Sequence, residues 1–279
     1  MNMKTQLSIY RRGVVYTLLI ALSVVFLAPF AWLVSTSVKP DAQILAYPPI
    51  WIPKPFQWTN YSEGLTAIPF GLYLLNTLTI CTATVVGTVF SSSLVAYGLS
   101  RIPWRGREIL FYALVGTMLL PPQVTMVPVF SIFKSLGWLD TYLPLTVPSF
   151  LAPAFSVFLL RQFFRGIPKE LAEAARLDGA SEWGIYSRVV LPLAKPALWT
   201  VGLFAFIGAW NDYLGPLIYL FDDRKYTLSL GLSMFRTQYG AAWGQMMAVS
   251  LVVTLPLIIL FFFTQRSFVQ GITSSGVKG

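Results

Sequence analysis

The sequence predicts an all-α membrane protein of six transmembrane helices, with a helical hairpin projecting into water between the fourth and fifth. Three observations carry this reading. Apolar residues make up 56% of the chain and charged residues only 11%, with a mean hydropathy of +0.66, whereas soluble domains are about one quarter charged. Ionisable side chains fall in short clusters, and the intervals between them can hold the roughly 20 residues that cross a bilayer. Basic residues are also distributed unevenly between alternate sides of those intervals.

The first span, residues 13–37, lies between Arg12 and Lys39. Lys4, Arg11 and Arg12 precede it as they would a secretory signal, but the apolar run continues through Pro29, Phe30 and Trp32. That exceeds the core of about 7–15 residues of a cleaved signal, so the segment reads as a retained helix. Charge-free intervals define the second span at 71–98, the third at 109–133, the fourth at 141–161 and the sixth at 241–265. The fifth, 196–220, is interrupted by a single acid, Asp212. No Pro/Ser-rich or charged linker divides the chain, and residues 1–279 read as one domain.

Proline marks the segments expected to bend. Pro121 and Pro122 can end the third span early and leave residues 127–139 as a separate helix along the outer surface. Pro144, Pro148 and Pro153 crowd the fourth span, Pro216 lies in the fifth and Pro256 in the sixth. Each removes a backbone hydrogen bond. Such breaks are either ordinary kinks or the lining of a moving path in which other groups satisfy the freed carbonyls.

Placing both termini in the cytoplasm puts fourteen of the 20 Lys and Arg residues inside and six outside, as the positive-inside rule requires. The net charge of +9 is spread over loops beside apolar spans, which suits lipid headgroups and argues against nucleic acid. Cys81, the single cysteine, sits in an apolar run and reads as a packing residue. The first outer segment, 38–70, carries Trp51 and Trp58 among prolines and is expected to pack over the outer helix ends.

Residues 166–193 form the cytoplasmic hairpin. Pro168 suits the start of a helix and Gly179 the left-handed residue that ends one. Ser181 is a good N-cap for a second helix that stops near Pro192. Ala172, Ala174 and Ala175 permit close approach by another surface, while Glu170, Glu173, Arg176 and Asp178 supply directional charge. The hairpin is therefore either a solvated connection or a docking element. In the fifth span, Trp210-Asn211-Asp212-Tyr213 combines aromatic rings, an amide and a carboxylate, groups suited to sugar faces and hydroxyls. An acid at mid-bilayer costs about 2.5–3.5 kcal/mol and each apolar neighbour returns only about 0.3–0.6, so Asp212 faces protein or water. It either contacts a solute or caps a neighbouring element.

The series Glu173-Ala174-Ala175, three residues, Gly179, nine residues, Val189, one residue, Leu191-Pro192 resembles the EAA loop of ABC importer permeases, with every motif position filled. In that family the loop forms a coupling helix seated in a cleft of a separate ATPase subunit. The resemblance assigns the docking role to Glu173, Ala174, Ala175, Asp178 and Gly179. The Trp210 to Tyr213 stretch is similar to one in sugar importer permeases and implies that Trp210, Asn211, Asp212 and Tyr213 belong to the translocation pathway. With the six-span layout and the closing Gly276-Val277-Lys278-Gly279, the chain resembles MalG-like subunits of binding-protein-dependent carbohydrate importers over nearly its whole length.

That resemblance implies a type I importer permease fold in a bacterial inner membrane, passing a di- or oligosaccharide by alternating access. It implies a second permease subunit, two ABC ATPase subunits and an external solute-binding protein as partners. It also implies that the tail 268–279, through Gly276, Val277, Lys278 and Gly279, touches the ATPase interface; the plain alternative is a loose terminus. The chain contains no Gly-Lys pair and no histidine. It therefore lacks a P-loop, and ATP would be hydrolysed by the partners, with no cofactor or metal held here and no covalent chemistry performed. A glycerol-3-phosphate or polyol importer permease is the nearest alternative. A stand-alone secondary transporter would leave the EAA spacing unexplained. Asn60-Tyr61-Ser62 formally matches a glycosylation acceptor and is discounted for a bacterial protein.

Overall fold

A computed structural model describes the backbone of residues 3–237 and 240–276 and the side chains of residues 12–236 and 242–264. In chain order the principal helices are α1 (Met3–Ser37), α2 (Thr59–Ala67), α3 (Phe70–Ser100), α4 (Arg107–Gly116), α5 (Pro122–Ser135) and α6 (Ala154–Gly166). They continue with α7 (Lys169–Leu177), α8 (Glu182–Leu193), α9 (Lys195–Trp210), α10 (Leu214–Tyr219) and α11 (Trp243–Gly276). A two-residue antiparallel ladder joins Arg236–Thr237 to Gly240–Ala241. Among the described residues four helices are long and apolar enough to cross a bilayer, and six if each of two bent pairs is one span.

Several of the apolar intervals are broken at or near their prolines. The third does not run unbroken over 109–133: Arg107–Leu119 and Pro122–Ser135 meet at 101°. Leu120 and Pro121 are extended, because a residue before proline is pushed out of the helical region, and Pro122 then opens α5 where its missing N–H is harmless. In the fourth, one α-helical turn (Leu143–Thr146) and a 3-10 stretch (Val147–Leu151), which carry Pro144 and Pro148, precede the longer helix that runs from Ala154, just after Pro153, to Gly166. The fifth stops at Trp210 and resumes as the six-residue α10. Pro216 explains that stop: its ring would collide with the carbonyl four residues earlier, that of Asp212. The sixth continues past residue 265 as helical backbone to Gly276. Val277, Lys278 and Gly279 lie outside the described residues.

Packing divides the chain into two compact units, residues 1–69 with 232–255, and residues 70–231 with 256–279. In the first, α1 is apolar all round, and none of its most apolar stretch is buried; Val14, Leu19, Val25 and Phe26 are each more than half exposed. Just past α1 lies a polar knot. Lys39 is fully buried, with Nζ 3.5 Å above the Trp32 ring and 3.4 Å from Thr36 Oγ1. Burial pushes its pKa down, and the ring's negative face offsets part of that penalty. Asn60, also buried, donates from Nδ2 to the carbonyls of Ser37 and Lys39, both at 3.0 Å. The amide of the formal glycosylation tripeptide is thus consumed inside the protein. Glycine lets α2 press on α11: a Cβ at Gly64 would stand 2.8 Å from Val249 Cγ2, and one at Gly244 2.6 Å from Asn60 Nδ2.

The second unit is built around α3, whose 31 residues span about 46 Å without a proline. One face is small and polar, with Gly87, Thr88, Ser91, Ser92 and Ser93 buried. The irregular lead-in to α6 packs on that face so closely that a Cβ at Gly87 would meet Ser149 Oγ at 2.5 Å and Phe150 at 2.6 Å. Ser91 Oγ accepts the Ala152 N–H at 3.1 Å, satisfying backbone released by the proline-rich break. Cys81 is buried on the same helix. The apolar core lies toward the hairpin end and joins Tyr97, Leu99, Phe111, Leu160 and Phe164 to hairpin residues Ala172, Ile185, Tyr186 and Val190. An ion pair fastens the same end: Arg161 is 2% exposed, Nη2 donates to both Glu108 oxygens at 2.6 and 2.7 Å, and Nε donates to Leu99 O at 3.1 Å.

Candidate functional site

The hairpin has the local geometry its sequence predicts. Pro168 (φ −52°) precedes the first residue of α7, and Gly179 (φ +80°) ends it. The N–H groups of Gly179 and Ala180 donate to the carbonyls of Arg176 and Ala175, at 3.0 and 2.9 Å, the paired bonds of a left-handed helix stop. Ser181 Oγ accepts the Gly184 N–H at 3.2 Å and caps α8. Alanine lines the inner side of α7. Ala172 is buried and Ala175 half-buried, so one side of α7 belongs to the core of the span bundle.

The opposite side of α7 faces out. Glu173, Ala174, Asp178 and Gly179 are exposed, while Ala175 sits at the edge between the two faces. Leu171, Ala174 and Leu177 follow at three-residue spacing, with Leu177 91% exposed, and the Trp183 indole is 62% exposed nearby in sequence. Sequence reasoning centred on the acids and alanines and passed over these leucines and the tryptophan. Their signal was present, because a leucine on the polar side of a short amphipathic helix has nothing in its own chain to cover it.

Charge ties the hairpin to α3. Arg176 Nε and Nη2 each lie 2.8 Å from Glu182 Oε1, and Glu182 Oε2 accepts the Tyr97 hydroxyl hydrogen bond at 2.7 Å. The Arg176 side-chain bond and then that of Tyr97 hold the Glu182 carboxyl below the usual range. Tyr97 is 5% exposed and its ring centroid lies 5.2 Å from that of Tyr186, whose hydroxyl is 2.7 Å from Ser93 Oγ. Arg101 reaches the Ile167 carbonyl at the hairpin's entrance.

The break after α9 separates the four residues expected on one path. Trp210 is buried, stacked on Phe206 at 5.3 Å, and its carbonyl accepts from Ser229 Oγ at 2.9 Å. Asp212 Oδ1 accepts the Gly215 N–H at 3.0 Å and so caps the first turn of α10. A Cβ at Gly215 would stand 2.3 Å from Asp212 Oδ2 and 2.9 Å from Leu145 Cδ2, so a side chain there would push the capping carboxylate aside. Asn211 and Tyr213 are exposed, and the Asn211 amide donates to Ile207 O at 2.9 Å. Asp212 is thus a backbone-holding residue flanked by two exposed polar side chains.

The loop after α10 is clamped by Asp140. Its carboxylate accepts from the N–H groups of Phe221 and Asp222, both at 3.0 Å, and from Lys225 Nζ at 2.6 Å. Lys225, then the two backbone donors, lower its pKa to about 2. Asp140 itself adopts φ +57°. At the corresponding end of α3, Asn76 Nδ2 donates to the carbonyls of Arg224 and Tyr226 at 2.8 and 3.0 Å, and Thr77 Oγ1 accepts the Leu228 N–H at 2.9 Å.

Long apolar helices interrupted at prolines, joined by a capped hairpin that is core on one side and open on the other, define a multi-pass membrane protein. The chain belongs to the family of inner membrane components of binding-protein-dependent transport systems, whose family model matches residues 83–274. It is 34% identical over 281 residues to an arabinooligosaccharides transport system permease of Bacillus subtilis, covering 98% of each chain. It is 33% identical to the trehalose/maltose permease protein MalG of Thermococcus litoralis, covering 93% of this chain and 94% of that one. With the sn-glycerol-3-phosphate permease of Yersinia pestis the identity is 35% over 84% of this chain and 86% of that one. Among solved structures it matches a chain of a bacterial ABC transporter for the import of the acidic polysaccharide alginate, with a TM-score of 0.78, 26% identity, and coverage of 93% and 97%.

Proposed function

We propose that this chain is the membrane-spanning permease subunit of an ATP-driven carbohydrate importer, moving a di- or oligosaccharide inward by alternating access. The observation that carries the reading is α7, whose Ala172 side is built into the span core while Leu171, Glu173, Ala174 and Leu177 remain uncovered. A helix so divided can take force from a docked protein and pass it to the spans. Glu173, Ala174, Ala175, Asp178 and Gly179 serve as the ATPase contact, with Leu177 and Trp183 added to it. With both termini cytoplasmic, the hairpin faces the compartment that holds ATP.

Four partners follow. Two ABC ATPase subunits receive the hairpins, and Gly276, Val277, Lys278 and Gly279 of the tail add to that contact. A second permease subunit accounts for the uncovered surface of α1. An external solute-binding protein delivers the sugar, a role supported by a structural neighbour of 15% identity and TM-score 0.66 solved with its alginate pentasaccharide-bound periplasmic protein. Asn211 and Tyr213 offer an amide and a phenol to the sugar, Asp212 fixes the break that presents them, and Trp210 anchors it. The glycerol-3-phosphate relative makes a phosphorylated polyol the second reading.

The test is Glu173→Lys in the assembled importer. The variant is expected to insert normally and to lose uptake together with substrate-stimulated ATP hydrolysis. Wild-type uptake in that variant would remove the docking reading.

A further inference from the structure

Resting on the docking reading above, we propose that Glu182 is a positioning residue that latches the docking helix to α3, and that α3 carries the movement as a rod to the loop at its far end. The latch joins three residues that sequence order keeps apart. Arg176 on α7 and Tyr97 on α3 grip opposite oxygens of the Glu182 carboxylate, at 2.8 and 2.7 Å.

The two bonds are unequal. Arg176 and Glu182 are 40% and 45% exposed, and an exposed ion pair holds weakly against water. The bond from Tyr97 begins at a buried ring, and a hydrogen bond to a charged group is the stronger kind. Tyr97 is therefore the fixed end, and Arg176 draws α7 onto it. The buried Ser93–Tyr186 bond at 2.7 Å, one turn further along α3, keeps the second hairpin helix in register while the first is pulled.

The rod is what distinguishes α3 from the other spans. Neither a proline nor a break interrupts it between Tyr97 and Asn76, a distance of about 32 Å along the axis, close to the thickness of the apolar layer. At Asn76 and Thr77, within two turns of its first residue, the helix makes three hydrogen bonds to the backbone of residues 224–228. Lys225 of that stretch binds Asp140, which also fixes the N–H groups of Phe221 and Asp222 just past α10. A displacement of the hairpin along α3 thus reaches the loop that follows the Asn211–Tyr213 break without crossing a hinge.

The experiment uses the complete importer in proteoliposomes, with uptake and ATP hydrolysis measured together and ATPase co-purification as the assembly control. Tyr97→Phe removes only a hydroxyl; Arg176→Gln, at the exposed end, tests the latch without touching the core. Both variants are expected to insert and bind the ATPase; uptake per ATP falls about tenfold in Tyr97→Phe, the scale of one charge-assisted bond, and about two- to fivefold in Arg176→Gln, whose pair is exposed. Tyr97→Phe combined with Glu182→Gln is expected to be no worse than either alone. Unchanged uptake per ATP in the single variants, or additive losses in the double, would overturn the latch. Glu173→Lys assayed in parallel separates the two claims: its loss of uptake with silent Tyr97→Phe leaves docking standing and removes the latch, whereas a silent Glu173→Lys removes docking itself.

Discussion

Replacing Glu108 with alanine strands a guanidinium inside the protein. In the intact chain Arg161 Nη2 reaches both Glu108 oxygens, Nε reaches the Leu99 carbonyl, and the guanidinium carbon lies 3.7 Å from the Phe111 ring centroid. Removing the acid from a wholly buried pair costs about 3–5 kcal/mol, because the surviving charge has no counter-ion. Here the Glu108 side chain is 45% exposed, so water already weakens the pair and can reach part of the vacated space. The retained Leu99 bond and ring contact reduce the loss further. The expected destabilisation is about 2 kcal/mol, which lowers the midpoint of thermal unfolding in detergent by about 3–4 °C for a chain of this size. Glu108→Ala with Arg161→Met removes the orphaned charge and is expected to recover about half of that drop. An unchanged midpoint in Glu108→Ala, or a double variant less stable than the single, would refute this account of the pair.

Gly87→Ala is expected to cost about 1–3 kcal/mol by overpacking, since its Cβ would press on Ser149 and Phe150 in the lead-in to α6. Gly98→Ala on the same helix meets nothing within 4 Å and serves as the neutral or slightly stabilising control in the same thermal assay. Asp140 titrates at about 2 in the fold against about 3.9 unfolded, so its stabilising clamp is complete above pH 4 and is lost as the pH falls from about 4 to 2. Proteolysis of the 219–228 loop should consequently be faster in Asp140→Asn than in wild type at pH 7, with the unfolding midpoints of the two proteins converging in acid.

Local signals were the legible ones. Pro168, Gly179 and Ser181 act through bonds within a few residues, so their effect on α7 and α8 could be read from spacing alone. The charge-free intervals located the apolar helices, and the EAA spacing identified the family that the comparisons show. What the sequence concealed depends on distant partners: Tyr97 meets Glu182 across 85 positions and Asn76 meets Arg224 across 148. Arg161 counted as one more basic residue at a span end until Glu108 was seen beside it. Asp212 was ambiguous because a carboxylate that caps a helix and one that faces a solute carry the same local pattern; Gly215, with no room for a Cβ, was the unread cue.

The bare surface of α1 bears on how this sequence can change over time. A residue in the α3 core is judged by its own chain, and a poor substitution there is punished during folding. Val14, Leu19 and Phe26 are each more than half exposed and turn most of their surface away from the described residues. Substitutions along that helix should pass the folding test unnoticed and be selected by whatever they meet in the bilayer, so its sequence can drift quickly against lipid but only in step with a polypeptide neighbour. Paired changes between α1 and another gene would then record the interface as an evolutionary trace, without the complex ever being isolated.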